Sequence, residues 1–151
     1  MKLYLLLFTM LWALVACDSH PVATSPSSPL PVGEDLERNA DPAVIKAGGQ
    51  LYQQHCAQCH GKEAEGDPAW RRPGADGRYP PPPLNGSGHA WHHSKAWLRS
   101  IIREGSQPQG NMPAWGQVLT DDEIEAVVAW FQWQWPDRVY DAWYEMQRRD
   151  I

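Results

Sequence analysis

Apolar positions recur at helical spacing in four stretches beyond residue 40, and polar or turn-forming residues bound each stretch. Asp41-Pro42 opens the first. An N-cap residue is followed there by proline at the first helical position, where its missing N–H is not needed. Val44, Gly48, Leu51, Tyr52 and His55 then fall on one face and lead into Cys56. A second helix is predicted from about Ser94, with Trp97, Leu98, Ile101 and Ile102 on one side and Gly105 as its stop. Thr120-Asp121-Asp122-Glu123 is a capping box with extra carboxylates at the positive end of the helix dipole. The stripe that follows is Ile124, Val127, Val128 and Phe131, with Trp130 beside it. Pro136 ends this helix or begins another, whose apolar face is Val139, Tyr140, Trp143 and Tyr144. No alternating run is long enough for a sheet, so the fold class is all-α.

The beginning of the chain follows a different pattern. Lys2 precedes an apolar run from Leu3 to Ala16. That run is shorter than the ~20 residues a membrane span needs, so residues 1–16 read as a signal peptide. At its end, Leu14-Val15-Ala16-Cys17 resembles the bacterial lipobox, which implies lipid attachment at Cys17. Two or three acyl chains, at about 0.8 kcal/mol per buried methylene, make a stable anchor. The alternative is an ordinary small-residue cleavage site with a cysteine nearby. Asp18 resembles the residue that retains some lipoproteins at the inner membrane. Residues 17–40 are then a lipidated cysteine and a Pro/Ser-rich tether with no hydrophobic period, a coil spanning roughly 25 to 30 Å.

Composition narrows the class. With 151 residues, 21% of them charged, and a net charge of -5, the chain fits one modest domain plus appendages, and nothing in it is basic enough for nucleic acid. The domain is expected over residues 41–136, with a C-terminal helical extension over residues 137–151.

Chemistry concentrates in Cys56-Ala57-Gln58-Cys59-His60, the C-x-x-C-H sequence for covalent attachment of one c-type haem. Two thiols at this spacing can each form a thioether to the porphyrin, and the adjacent imidazole reaches the iron. Structural zinc would need two more ligands at matching spacing, whereas the only other cysteine is Cys17 and no histidine pair follows at zinc-finger distance from Cys59. A dithiol redox motif would sit in a βαβ setting that the flanking pattern lacks.

Beyond that motif the chain resembles the small bacterial monohaem cytochromes c of the His/Met-ligated, class I-like type. The matching stretches are Gly48-x-x-x-Tyr52-x-x-x-Cys56, Cys56 to Gly61, Pro82-Pro83-Leu84-Asn85-Gly86, Met112-Pro113-Ala114-Trp115-Gly116 and Leu119 to Ile124. The resemblance implies three to five helices packed around a covalently bound haem, with His60 and Met112 as axial iron ligands. It also implies a close crossing of the first and last helices at Gly48 against Trp130. One carbonyl of Pro81, Pro82 or Pro83 is expected to accept a proton from His60, with Leu84 on the haem face. The function implied is electron transfer without catalytic residues, between a redox donor and a redox acceptor in the cell envelope, facing the periplasm from a lipid anchor.

Two segments depart from the minimal pattern. The loop from Asp67 to Tyr79 carries Trp70-Arg71-Arg72 and Arg78, and is expected to be either a solvated loop or a source of propionate or partner contacts. His89, His92 and His93 lie close together. They could bind a second metal such as copper or zinc, hydrogen-bond a propionate, or replace Met112. That cluster supports the alternative of a haem-containing copper-handling or assembly factor. A labile Met112 would instead make a sensor or enzyme. Of the nine tryptophans, Trp97, Trp130 and Trp143 are expected in packing, while Trp91, Trp115, Trp133 and Trp135 could include an exposed docking aromatic, with core the safer placement.

Overall fold

A computed structural model describes residue 38 and residues 41–149 of the protein. Cys17, Asp18, the leader and nearly all of the tether therefore lie outside the described residues. Among those described, the secondary structure is helical, apart from one isolated bridge between Tyr79 and Gly110. The helices are α1 (Pro42–His55), α2 (Ala57–His60), α3 (Lys95–Glu104), α4 (Asp121–Trp133) and α5 (Asp137–Arg149), with a 3-10 turn at Ala90–His92 before α3. No helix among the described residues is long and apolar enough to cross a membrane.

The caps form where the local sequence supplies them. Asp41 accepts from the amide of Ala43 at 2.8 Å. Ser94 accepts from the amide of Trp97 at 3.1 Å and starts α3. Gly105, at φ +82°, ends that helix. Thr120 and Glu123 bond each other's backbone amides, at 3.3 and 2.8 Å, so the capping box is complete.

Helices α1 and α4 cross in close contact. A Cβ at Gly48 would run into the backbone carbonyl of Ala126, and one at Gly49 would come within 2.7 Å of the Trp130 indole nitrogen. The expected pairing of Gly48 with Trp130 is thus divided between two glycines: Gly48 admits the backbone of α4 and Gly49 the indole. Trp130 also packs on Tyr52, with ring centroids 4.2 Å apart.

Helix α5 shares the same core. Tyr140 and Trp143 join Tyr52, Ile124, Val128 and Phe131 in one buried cluster. Trp135, at the α4–α5 junction, is 2% exposed and donates from its indole N–H to the carbonyl of Leu84 at 2.7 Å. Trp143 donates to the carbonyl of His93 at 2.9 Å, which ties α5 to the 3-10 turn. The tryptophan expectations hold at Trp135 and are corrected at Trp97. Trp135 is core, whereas Trp97 is 42% exposed, because α3 turns Leu98 and Ile102 inward instead. Trp133 is the docking candidate left exposed, at 46%.

Candidate functional site

The C-x-x-C-H residues occupy the turn that leaves α1. Cys56 caps α1 with its amide bonded to Tyr52, and α2 then carries Cys59 and His60. Gly61 follows at φ +80°, and a side chain there would collide with the carboxylate of Glu65. The buried Tyr52 hydroxyl donates to the carbonyl of Gly61 at 2.8 Å, so the apolar face predicted for the first helix also pins the end of the motif. Burial raises the Tyr52 hydroxyl far above its ordinary pKa, and it stays a neutral donor. Cys56 is half-buried and its thiol is pushed up to about 11, by burial first and by Cys59 second, while Cys59 is exposed.

His60 is buried, with Nδ1 2.9 Å from the carbonyl of Pro82. A carbonyl can only accept, so Nδ1 carries the proton and the lone pair stands on Nε2, the state that metal ligation requires. Burial lowers the imidazole pKa and the Pro82 bond opposes that shift, so the neutral ring is favoured. Pro82 is therefore the proline that orients the ring. Its segment is fixed by Leu84, whose amide donates to Ala64 at 2.8 Å, and by Pro81, whose carbonyl accepts from Asp67 at 2.8 Å.

Met112 stands on a loop organised by Ser106. The Ser106 amide donates to the Met112 carbonyl at 3.1 Å, the Met112 amide donates to the Ser106 hydroxyl at 3.1 Å, and the Gly110 amide donates to the Ser106 carbonyl at 2.9 Å. Beyond the methionine, Trp115 and Gly116 donate to the carbonyls of Ile102 and Arg103 at 3.0 and 3.1 Å, which locks the loop to the end of α3.

These parts enclose one cavity of about 850 Å³, within the size range of cofactor sites. Cys56, Cys59, His60 and Met112 all line it. Leu84, Leu98, Ile101, Ile102, Val127 and Phe131 provide an apolar lining. A more open groove of about 940 Å³ lies across α1 and α4 at Ile45, Gly49, Trp130 and Trp133, and contains none of the motif residues. We take the enclosed cavity as the site because it alone gathers the sulfur and imidazole groups.

The departures from the minimal pattern also reach this cavity. Trp70, Arg71 and Tyr79 of the 67–79 loop line it, so this segment is part of the wall as well as a solvated loop. Its Arg78 pairs with Asp76 at 3.8 Å. His89 and His93 line the cavity, whereas His92 is exposed and packs on Trp91 with ring centroids 3.8 Å apart. The expected three-histidine metal set does not assemble, because the 3-10 turn sends His92 away from the other two. Among the described residues no group of three or more His, Cys, Asp or Glu is placed to hold a metal ion.

The cavity fits a haem. It offers an imidazole with a free Nε2, a thioether, two thiols and an apolar lining, and Asp and Glu are absent from its lining residues. His89 Nδ1 and His93 Nε2 are sealed from solvent without a hydrogen-bond partner. Fold and site together define a small cytochrome c. The family model described as cytochrome c oxidase, cbb3-type, subunit III matches residues 43–131, and the chain belongs to that family. It is 33% identical over 95 residues to the Cbb3-type cytochrome c oxidase subunit CcoP of Azospirillum brasilense, covering 62% of this chain and 30% of that relative. It is 36% identical over 87 residues to cytochrome c-551 of Bacillus subtilis (strain 168), covering 58% of this chain and 60% of that relative. The chain thus spans less than two thirds of the length of these relatives. No solved structure matches it. The described residues form an all-α cytochrome c domain, and membership of this family implies covalently bound haem c.

Proposed function

We propose that the protein is a membrane-tethered, periplasm-facing carrier of single electrons. Cys56 and Cys59 hold its haem covalently, and His60 and Met112 are the axial ligands. The observation that carries this reading is the single cavity lined by all four side chains. Bound haem supplies reversible one-electron iron chemistry, and a His/Met ligand pair favours a high potential. The chain's own residues do the rest. Pro82 fixes the tautomer and orientation of His60. The Ser106 bonds hold the Met112 loop closed, which favours a carrier with both ligands retained over a sensor or enzyme with a labile methionine. Val127, Phe131 and the apolar face of α3 exclude water from the interior, while Cys59, Tyr79 and Trp97 leave one edge open to a partner.

The partners proposed are a redox donor and a redox acceptor of the cell envelope. The relatives named as subunits of a cbb3-type oxidase support an oxidase assembly as one of them. The tether from Cys17 keeps the domain near such partners, which favours brief, weak encounters.

Met112→Ala tests the ligand assignment. It is expected to lower the potential and to remove the weak red-region band of a Met-ligated ferric haem, and an unchanged spectrum would overturn the assignment. Cys17→Ser is expected to release the protein from membranes, and retention would overturn the anchor.

A further inference from the structure

A column of stacked side chains forms one wall of the cavity. The guanidinium of Arg71 lies 4.2 Å from the ring centroid of Trp70. Trp70 stacks on His89 at 5.0 Å with planes 10° apart, and His89 meets His93 edge-on at 5.3 Å. His93 stacks on Trp97 at 3.8 Å with planes 16° apart. Both imidazoles are half-buried, both line the cavity, and each has one ring nitrogen sealed in with no partner. The backbone of the column is held as well, since Trp143 donates to the carbonyl of His93.

Each sealed nitrogen is closed even to a water molecule, so a guest in the cavity would meet the other atoms of each ring. Packing alone would be served by phenylalanine at either position, since both rings already stack on indoles. Charge supplies the second clue. The chain has 18 Asp and Glu against 13 Lys and Arg, yet Asp and Glu are absent from the cavity lining, whereas Arg71 and the two imidazoles are present. That selection suits an anionic group entering from this side. The apolar face of α3 and α4 suits the ring system, and the only anionic part of a haem is its pair of propionate carboxylates.

Building on the proposed haem cytochrome, we infer that His89 and His93 are the positioning residues for the haem propionates. The ring N–H on the cavity side of each imidazole, not the sealed nitrogen, donates to the carboxylates, and Arg71 caps the column with a fixed positive charge. Trp70 and Trp97 hold the two rings in place. A carboxylate left uncompensated near the iron would favour the more positive ferric state, so these donors raise the potential. The groups that bear on their protonation are Arg71 and His92 for His89, and His89 and His92 for His93. Burial, followed by these neighbours, lowers both imidazoles below the ordinary histidine value, and a carboxylate partner acts in the opposite sense.

The test is the midpoint potential of the full-length holoprotein from about pH 5 to about pH 8, the range in which imidazoles titrate. For the native protein the potential is expected to fall as pH rises and the rings lose their protons. The double variant His89→Phe/His93→Phe keeps the stack but has no donors. It is expected to show a lower potential and a flat profile while retaining its Met-ligated spectrum. The double variant His89→Gln/His93→Gln, which restores amide donors, should recover the potential but not the pH dependence. A phenylalanine variant with the native potential and the native profile would overturn the inference. Should that variant fail to take up haem, nitrogen-15 histidine NMR of the native reduced protein decides. Slowly exchanging ring N–H protons at positions 89 and 93 support the inference, and their absence overturns it. Failure of the carrier proposal looks different: native protein without covalent haem, or a Met112→Ala spectrum that does not change.

Discussion

The helical side of the molecule and its loop side are held together by different forces. On the helical side, α1 and α4 cross at Gly48 closely enough that backbone meets backbone, and α5 joins them in the buried apolar cluster of Val128, Phe131 and Trp143. On the loop side, α3 brings Leu98 and Ile102 to the core, while the segments before and after it are tied by single hydrogen bonds between backbone segments, such as Leu84 to Ala64 and Tyr79 to Gln109. Stability is therefore expected to reside in the first region, while the second brings Met112 and the Pro82 carbonyl to the motif carried by α1 and α2. That division can be broken by mutation.

The largest stability loss should come from Trp143→Ala, which removes a fully buried indole and its bond to His93. About 3–5 kcal/mol is expected in denaturant unfolding, as for other large-to-small core changes. Gly48→Ala should follow at about 3 kcal/mol, the upper end for overpacking, because the obstacle is a backbone carbonyl that no rotamer change can move. Tyr52→Phe should cost about 1–2 kcal/mol, since the carbonyl of Gly61 loses its donor in a buried setting. Ser106→Ala should cost only about 1 kcal/mol of global stability. Its local effect should be much larger, read as faster amide exchange at Met112 and earlier loss of the Met-ligated spectrum on heating. If Ser106→Ala destabilises the whole protein as much as Gly48→Ala does, the division into two regions is wrong.

The same division explains what was legible in the sequence. Helices α1, α3, α4 and α5 were readable because their signals are local: Asp41-Pro42, Ser94 with Gly105, the Thr120 box, and the faces between them. The motif residues were readable because their chemistry depends on spacing. The partner of His60 was readable only as one of three prolines, since choosing Pro82 requires the tertiary path of the 61–84 segment. Trp70 and Arg71 were not readable as cavity wall, because nothing local says which way a long polar loop folds back. Trp135 falls at a helix junction, where periodicity is silent, and its place in the core depends on the carbonyl of Leu84, far away in sequence. His92 differs from its neighbours only through a single 3-10 turn. Short helices of this kind carry little sequence signal.

The absence of carboxylates from the cavity lining also bears on how the molecule meets other molecules in solution. The chain as a whole is acidic, at -5, so most of its surface repels anions. Around the cavity the side chains contribute Arg71 and imidazoles instead. With propionates placed as proposed, the open edge is expected to be less negative than the rest of the surface. An acidic partner diffusing past is then turned away from every face more strongly than from this one, and its collisions are biased toward the edge where electrons can cross. Such a bias is a property of rate rather than affinity. It should weaken as added salt shortens the Debye length to about 10 Å and below.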